Sequence, residues 1–204
     1  MKSIKNNSPR DYISWTQLNL IETNPSMYYW HYIEGKDGFD NKYMRFGSRI
    51  AKGLELGYDE QRDPVIESIL LFAPQYPKRE FEIRVSLPNQ NIPLFGKLDG
   101  WDTRTKTIGE YKTGKNYIQS TADKSGQLTF YALMVWIKYG CLPKKIFLHW
   151  LETAERQDGS IFLTGKIKMF ETKRTIKDIV LFSKRISNAW NDICELGRIF
   201  KIKK

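Results

Sequence analysis

The sequence predicts an α+β fold, α/β in the broad sense, in which helices flank a mixed central sheet. Apolar residues recur at helical spacing in the first third of the chain and again near its C-terminus. Between these regions, residues 81–87 alternate between apolar and polar, which is typical of a half-buried strand. The 204 residues fit a single domain, 1–204, with residues 1–12 as a flexible tail.

Four helices are predicted ahead of the sheet. Ser14 caps the first, which stops before Pro25 because proline disfavours a helical residue in front of it. The second begins at that proline. The third covers about 43–58 and contains Gly47, which indicates close packing or an approach to another group. The fourth covers 65–72.

Five strands and two further helices follow. In chain order they are strands at 81–87, 94–102 and 107–113, a long helix at 122–139, strands at 146–152 and 161–170, and a terminal helix at 176–196. A basic tail ends the chain. The core is thus preceded and followed by extra helices.

The charge points to an anionic partner. Lys and Arg number 33 against 23 Asp and Glu, which gives a formal net charge of +10. Nucleic acid and an acidic membrane surface both fit this excess, as does a basic protein that binds neither. The hydrophobic fraction of 41% excludes a disordered chain. The longest apolar run, 130–137, is too short to span a bilayer, so we expect a soluble cytoplasmic protein without membrane contact.

Two carboxylates and a lysine are expected to converge on one hairpin. If its turn is centred between Arg104 and Thr105, then Asp99 faces Glu110 across the strands, and Lys112 projects on the same face. Facing carboxylates repel unless a cation lies between them, and oxygen ligands suit Mg²⁺ or Mn²⁺. Lys112 would then orient a water or stabilise the transition state. A surface hairpin with ordinary charged residues is the alternative.

The helix after the hairpin adds a polar row. Gln127 and Tyr131 are four residues apart and therefore share a helix face. They could donate to a phosphate or to an attacking water. Equally, the glutamine could lie at the helix edge beside a half-buried tyrosine.

The ordered set Gly96-x-x-Asp99, Glu110-x-Lys112 and Gln127-x-x-x-Tyr131 resembles the PD-(D/E)XK nuclease superfamily, in its RecB-like and phage exonuclease branch. The resemblance covers most of residues 14–152. It implies a restriction-endonuclease-like αβββαβ core, which agrees with the predicted order of elements.

The resemblance also implies a role for each matched position. Asp99, Glu110 and the main-chain carbonyl of Tyr111 would be metal ligands, and Lys112 would be the catalytic lysine. The Gln-x-x-x-Tyr row would complete the catalytic site and contact DNA.

The sequence departs from the family pattern in an upstream helix. The family has His or Glu four residues after a glycine, whereas here Gly47 is followed by Ala51. Glu55, one turn further on, is a candidate metal ligand in its place, or a solvated side chain. Members with an iron–sulfur cluster need four cysteines; this chain has two cysteines and carries Asn24 at the first such place, so no cluster is expected.

The predicted function is that of a Mg²⁺-dependent DNA nuclease, an exonuclease in recombination, repair or phage DNA processing. The alternatives are a catalytically inactive DNA-binding module, a structure-specific endonuclease, and more remotely an RNA-directed or structural phage protein. A recombination or annealing protein could be a partner, and the chain could form an oligomer. The expected DNA-backbone contacts are Lys97, Lys115, Lys124, Arg45 and Arg49.

Overall fold

The computed structural model describes residues 8–36 and 40–200. The basic tail expected at 201–204, and the first seven residues of the tail expected at 1–12, lie outside the described residues. Ser8 is fully buried. The backbone of Ile13 pairs with the sheet through an N–H bond of 2.9 Å to the carbonyl of Pro93.

Seven α-helices and five strands make up the described residues. The helices are α1 (Trp15–Thr23), α2 (Pro25–Tyr28, continued by a π-helical turn, Tyr29–Ile33), α3 (Lys42–Leu56), α4 (Pro64–Phe72), α5 (Gln119–Asp123), α6 (Gly126–Tyr139) and α7 (Ile176–Ile199). The strands are β1 (Lys78–Leu87), β2 (Ile92–Asp102), β3 (Thr107–Gly114), β4 (Lys145–Glu155) and β5 (Ile161–Thr172). No helix of these residues has the length and apolar character needed to cross a membrane.

The strands form one mixed sheet in the order β1-β2-β3-β4-β5. The first three are antiparallel neighbours, β3 and β4 are parallel, and β5 returns antiparallel to β4. The parallel pair requires a crossover, which α5 and α6 provide. This arrangement confirms the predicted α+β class and the predicted mixed sheet.

The long helix predicted at 122–139 is wrong only at Lys124 and Ser125, where the chain breaks between α5 and α6. Ser125 caps α6 by accepting the N–H of Leu128 at 3.3 Å. The guanidinium of Arg174 donates to the carbonyls of Ala122 and Ser125, at 3.0 and 3.1 Å. Both carbonyls also accept backbone N–H groups, that of Ala122 from Ser125 and that of Ser125 from Thr129, at 3.2 Å each, so Arg174 adds a second donor that holds the break.

Helices cover both faces of the sheet. Alternate residues of β4 show the division: Ile146, Leu148 and Trp150 belong to a large core formed with α1, α6 and α7. Leu151 points to the opposite face and joins a smaller core formed by α3 and α4. The hairpin β2–β3, in the interior of the sheet, therefore lies between two helical layers.

An aromatic ring takes the place of side chains where β2 meets β3. Gly100 pairs with Gly109, and a Cβ atom at either position would lie 2.1–2.3 Å from the ring of Tyr76. That ring is held by a 2.6 Å bond between its hydroxyl and Nε2 of the buried His149. Burial lowers the pKa of His149 to about 4, so the imidazole is neutral and has a structural role.

Replacing Gly109 by alanine is expected to destabilise the protein by about 1–3 kcal/mol, because the added methyl overlaps a packed ring. Chemical denaturation of the two proteins measures this loss. In the background of Tyr76→Ala, which removes the ring, the same glycine substitution should cost much less. An equal cost in both backgrounds would contradict the contact.

Candidate active site

The predicted hairpin register is confirmed. Asp102 pairs with Thr107, and Gly100 pairs with Gly109 as the last paired residues of the β2–β3 ladder. Asp99 and Glu110 come next on their strands, just beyond this pair. The Asp99 carboxylate accepts the backbone N–H of Tyr111 at 2.9 Å. The two carboxylates therefore face the same side at the point where the ladder ends.

Glu110 is a fully buried carboxyl group. One oxygen accepts a bond of 2.7 Å from Nζ of Lys112, and the other, Oε2, has no hydrogen-bond partner among the described residues. Burial and the facing Asp99 raise the pKa of Glu110 to about 8. Burial also raises the pKa of Asp99, although the Tyr111 N–H and Lys112 oppose that shift. Ionising both carboxyl groups is therefore costly unless a metal cation lies between them.

Lys112 is held against this pair. Its side chain is 35% exposed, while that of Glu110 is 2% exposed. Burial alone would lower the pKa of Lys112, but the contact with Glu110 and the nearby Asp99 outweigh it, and the pKa is raised. The amine is therefore a cation that reaches from the carboxylates toward the solvent.

Gln127 and Tyr131 lie beside the pair as expected, but their hydrogen bonds are largely committed to each other and to the backbone. The Tyr131 hydroxyl donates to the carbonyl of Lys97 at 2.8 Å and accepts from Nε2 of Gln127 at 3.0 Å. Burial raises the pKa of Tyr131 well above its usual range. Tyr131 thus anchors β2 to α6, and Gln127 borders the cavity above the carboxylates.

The donor set fits a divalent cation. The unpartnered Glu110 Oε2 lies in a buried site next to a second carboxylate, and a cation would satisfy it. No group of three or more His, Cys, Asp or Glu side chains within 8–36 and 40–200 is arranged to hold a metal. Glu55 therefore does not complete such a group; it is exposed and pairs with Lys52 at 3.0 Å. The remaining ligands would be the Tyr111 carbonyl, water or substrate.

Glu80 is a residue of this site that the sequence pattern did not reveal. It lies on β1 opposite Asp99 in a left-handed conformation (φ 48°), and this position is unpaired although the residues on either side of it pair with β2. Its carboxylate contributes to the raised pKa of Asp99 and forms an ion pair with Lys97. Glu80 and Glu55 both line a small cavity with Asp99, on the side where Ala51 lacks a carboxylate. A left-handed non-glycine residue in a strand is the structural signal of its special position.

An open cavity of about 700 Å³, the active-site cavity, lies above the carboxylates. Its wall is α3, which approaches β3 closely at Gly47, where a Cβ atom would lie 3.1 Å from the hydroxyl of Thr113. This contact confirms the close packing predicted for the glycine. Asp99, Glu110 and Lys112 line the cavity.

The basic residues predicted to contact DNA lie on several different elements. Lys115 and Lys124 are exposed in the loops after β3 and α5. Arg45 is exposed and pairs with Asp40. Arg49 is bound through two bonds, of 2.8 and 2.5 Å, to the buried carboxylate of Asp59. Lys97 forms an ion pair with Glu80, the residue opposite Asp99.

The mixed sheet and its flanking helices define an α+β protein whose central hairpin carries two carboxylates and a lysine. No sequence family and no curated protein matches the chain. Solved structures do match in fold.

A protein from Eubacterium rectale assigned as an exonuclease superposes with a TM-score of 0.60 at 10% identity, over 92% of this chain and 82% of that chain. A phage-related exonuclease from Haemophilus somnus gives a TM-score of 0.55 at 15% identity, over 96% and 88%. An alkaline exonuclease from Laribacter hongkongensis gives 0.52 at 9% identity, over 94% and 92%. The chain shares the fold of these proteins, as the PD-(D/E)XK resemblance predicts.

Metal affinity is expected to rise with pH. Below its raised pKa of about 8, Glu110 holds a proton that a cation must displace. The affinity for Mn²⁺ should therefore rise up to about tenfold per pH unit from about pH 6 to about pH 8 and then level off. Titration calorimetry in buffers of different ionisation enthalpy measures both the affinity and the protons released. An affinity that is flat across this range would contradict the shift.

Proposed function

We propose that the chain is a metal-dependent deoxyribonuclease that hydrolyses phosphodiester bonds and acts as an exonuclease. The observation that carries this proposal is the buried Glu110, with one unpartnered oxygen, placed between Asp99 and Lys112 at the floor of an open cavity. The shared fold of the exonuclease structures supports the same reading. Roles in recombination, repair or phage DNA processing, with an annealing or recombination protein as partner, follow from the family resemblance.

Each residue has a definite task in this proposal. Asp99, Glu110 and the Tyr111 carbonyl would hold Mg²⁺ or Mn²⁺, which when bound would polarise the phosphate and lower the pKa of water. Lys112 would donate to the attacking water or to a non-bridging phosphate oxygen, and so stabilise negative charge that grows in the transition state. Tyr131 would fix the separation of β2 and α6, and Gln127 would face the substrate.

Digestion of linear and circular DNA with Mg²⁺ or Mn²⁺ tests the proposal. We expect nucleotides to be released from linear DNA, with circular DNA left intact, and we expect Asp99→Asn and Lys112→Met to lose this activity. Lys184→Met, at an exposed lysine of α7 outside the expected DNA contacts, is the matched control and should retain it. Cleavage of circles would indicate an endonuclease instead, and full activity in both site variants would refute the site.

DNA binding without cleavage is a second candidate, and one observation favours it. Ala51 leaves the α3 wall without the carboxylate or imidazole that the family resemblance predicts there, and no group of three ligands forms among the described side chains. Salt-dependent DNA binding with no cleavage under any divalent cation would establish this function.

A further inference from the structure

A second cavity adjoins the active-site cavity and has a different chemical character. It measures about 240 Å³, and Thr16 and Gln127 line both cavities. We call it the aromatic cleft. Besides the buried Tyr131, its lining includes four less buried aromatic side chains and two cations: Tyr12, Trp15, Tyr32, Phe95, Arg10 and Lys97.

The rings of the cleft are partly open to solvent but held on ordered backbone. Tyr12 and Phe95 lie with ring centroids 5.0 Å apart, and both side chains are half-buried. The backbone next to them is fixed by the bridge between Ile13 and Leu94, in which the Phe95 N–H donates to the Ile13 carbonyl at 3.0 Å. The rings are therefore pre-positioned at the surface, and binding a flat ligand there would require little ordering.

Guanidinium groups surround these rings. The Cζ atom of Arg10 lies 5.8 Å from the Tyr12 centroid and 5.0 Å from that of Tyr32. Arg84, on β1, lies against Phe95 and Tyr12. Its Cζ atom is 4.2 Å from the Phe95 centroid and 5.6 Å from the Tyr12 centroid. Arginine and aromatic planes together are the combination that stacks on unpaired bases while attracting the phosphates between them.

We infer that the aromatic cleft binds unpaired bases of the DNA strand whose phosphodiester bond occupies the active-site cavity. The inference rests on the proposed function for the identity of the ligand. Its own support is the boundary that the two cavities share at Gln127, the surface rings and the two arginines. A strand that leaves the active-site cavity past Gln127 enters the cleft directly, where the rings give stacking without sequence readout.

The test compares a short oligothymidylate with an abasic strand of equal length, which has the same phosphates and no bases. Binding is measured by fluorescence anisotropy in EDTA, so that no cleavage occurs. Tyr12→Leu should weaken oligothymidylate binding by roughly 5- to 100-fold and leave abasic binding unchanged. Tyr12→Phe keeps the ring and should bind as the parent does. Equal loss on both strands, or no loss, would overturn stacking.

Tyr58→Leu is the matched control. Tyr58 is exposed and also carries an arginine over its ring, with Arg62 Cζ at 4.8 Å, but it lines neither cavity. It should bind both strands as the parent does. A readout on the unmodified chain avoids any folding defect: photocrosslinking a strand with 5-iodouracil should label Tyr12, Trp15 or Phe95. Labels found only elsewhere would refute the cleft.

These results separate the cleft from the nuclease function. The chain could cleave no DNA but bind bases in a way that Tyr12→Leu removes. That result would support base binding by the cleft and reject the nuclease function. DNA cleavage together with binding that ignores Tyr12 would keep the nuclease and reject the cleft. Absence of binding to either strand would reject the cleft, and the cleavage assay would still decide the nuclease.

Discussion

Replacing Asp99 by asparagine is expected to abolish cleavage while stabilising the metal-free protein. Cleavage should fall by at least about a thousandfold, because a charged ligand of the cation is lost. The melting temperature without metal should rise by about 2–4 °C, since asparagine removes the charge that faces Glu110. The amide oxygen can still accept the Tyr111 N–H. Calorimetric melting and a cleavage assay measure the two effects.

The same variant should lose its thermal response to metal. On the proposed function, Mn²⁺ should raise the melting temperature of the parent by mass action, and Asp99→Asn should show little of this rise. Asp102→Asn, three residues along β2, is the matched control. Its carboxylate accepts the N–H groups of Arg104 and Thr105 in the turn, so it should keep both activity and metal response. An Asp99→Asn protein that cleaves at the parental rate would refute the metal site.

Replacing Lys112 by methionine is expected to lower cleavage by about 100- to 1000-fold and, unlike Asp99→Asn, to destabilise the protein. The loss of the amine leaves Glu110 without its partner. The cost should be about 1–3 kcal/mol near pH 8.5. Denaturant unfolding of the parent and the variant at two pH values measures it.

The pH dependence of that cost has a definite sign. The pKa of Glu110 is already raised in the folded chain, and removal of Lys112 raises it further. When a carboxyl group has a higher pKa in the folded than in the unfolded protein, the protein becomes less stable as the pH rises from the unfolded-state pKa through the folded-state pKa. The variant should therefore resemble the parent more closely near pH 6 than near pH 8.5. A penalty that shrinks with rising pH would contradict this arrangement of charges.

The sequence revealed the parts of the site that depend on short-range pattern. The alternation of the strands and the polar turn around Arg104 specify the register that aligns Asp99 with Glu110, and both signals lie within one hairpin. The side on which Lys112 projects follows from the same period of two.

The parts that were missed depend on distant contacts. Arg174, about fifty residues further along the chain, donates hydrogen bonds to the backbone carbonyls of Ala122 and Ser125 at the break before α6. Glu80 itself adopts a left-handed conformation inside a strand, opposite Asp99. The alternation of apolar and polar residues does not predict such a conformation. Tyr76, in a proline-rich connection, was not distinguishable from a loop residue until the glycines of β2 and β3 came together beneath it.

The Tyr76 ring also determines when, during synthesis, the carboxylate pair can be packed in place. The hairpin that carries the two carboxylates has no side chains of its own at Gly100 and Gly109, and a residue from another segment supplies the packing there. During synthesis, residue 76 emerges before the hairpin, but its hydroxyl partner His149 emerges only after α6. The carboxylate pair therefore reaches its final packing only when most of the chain has been made, so an unfinished polypeptide would carry both carboxylates without the packing that positions them.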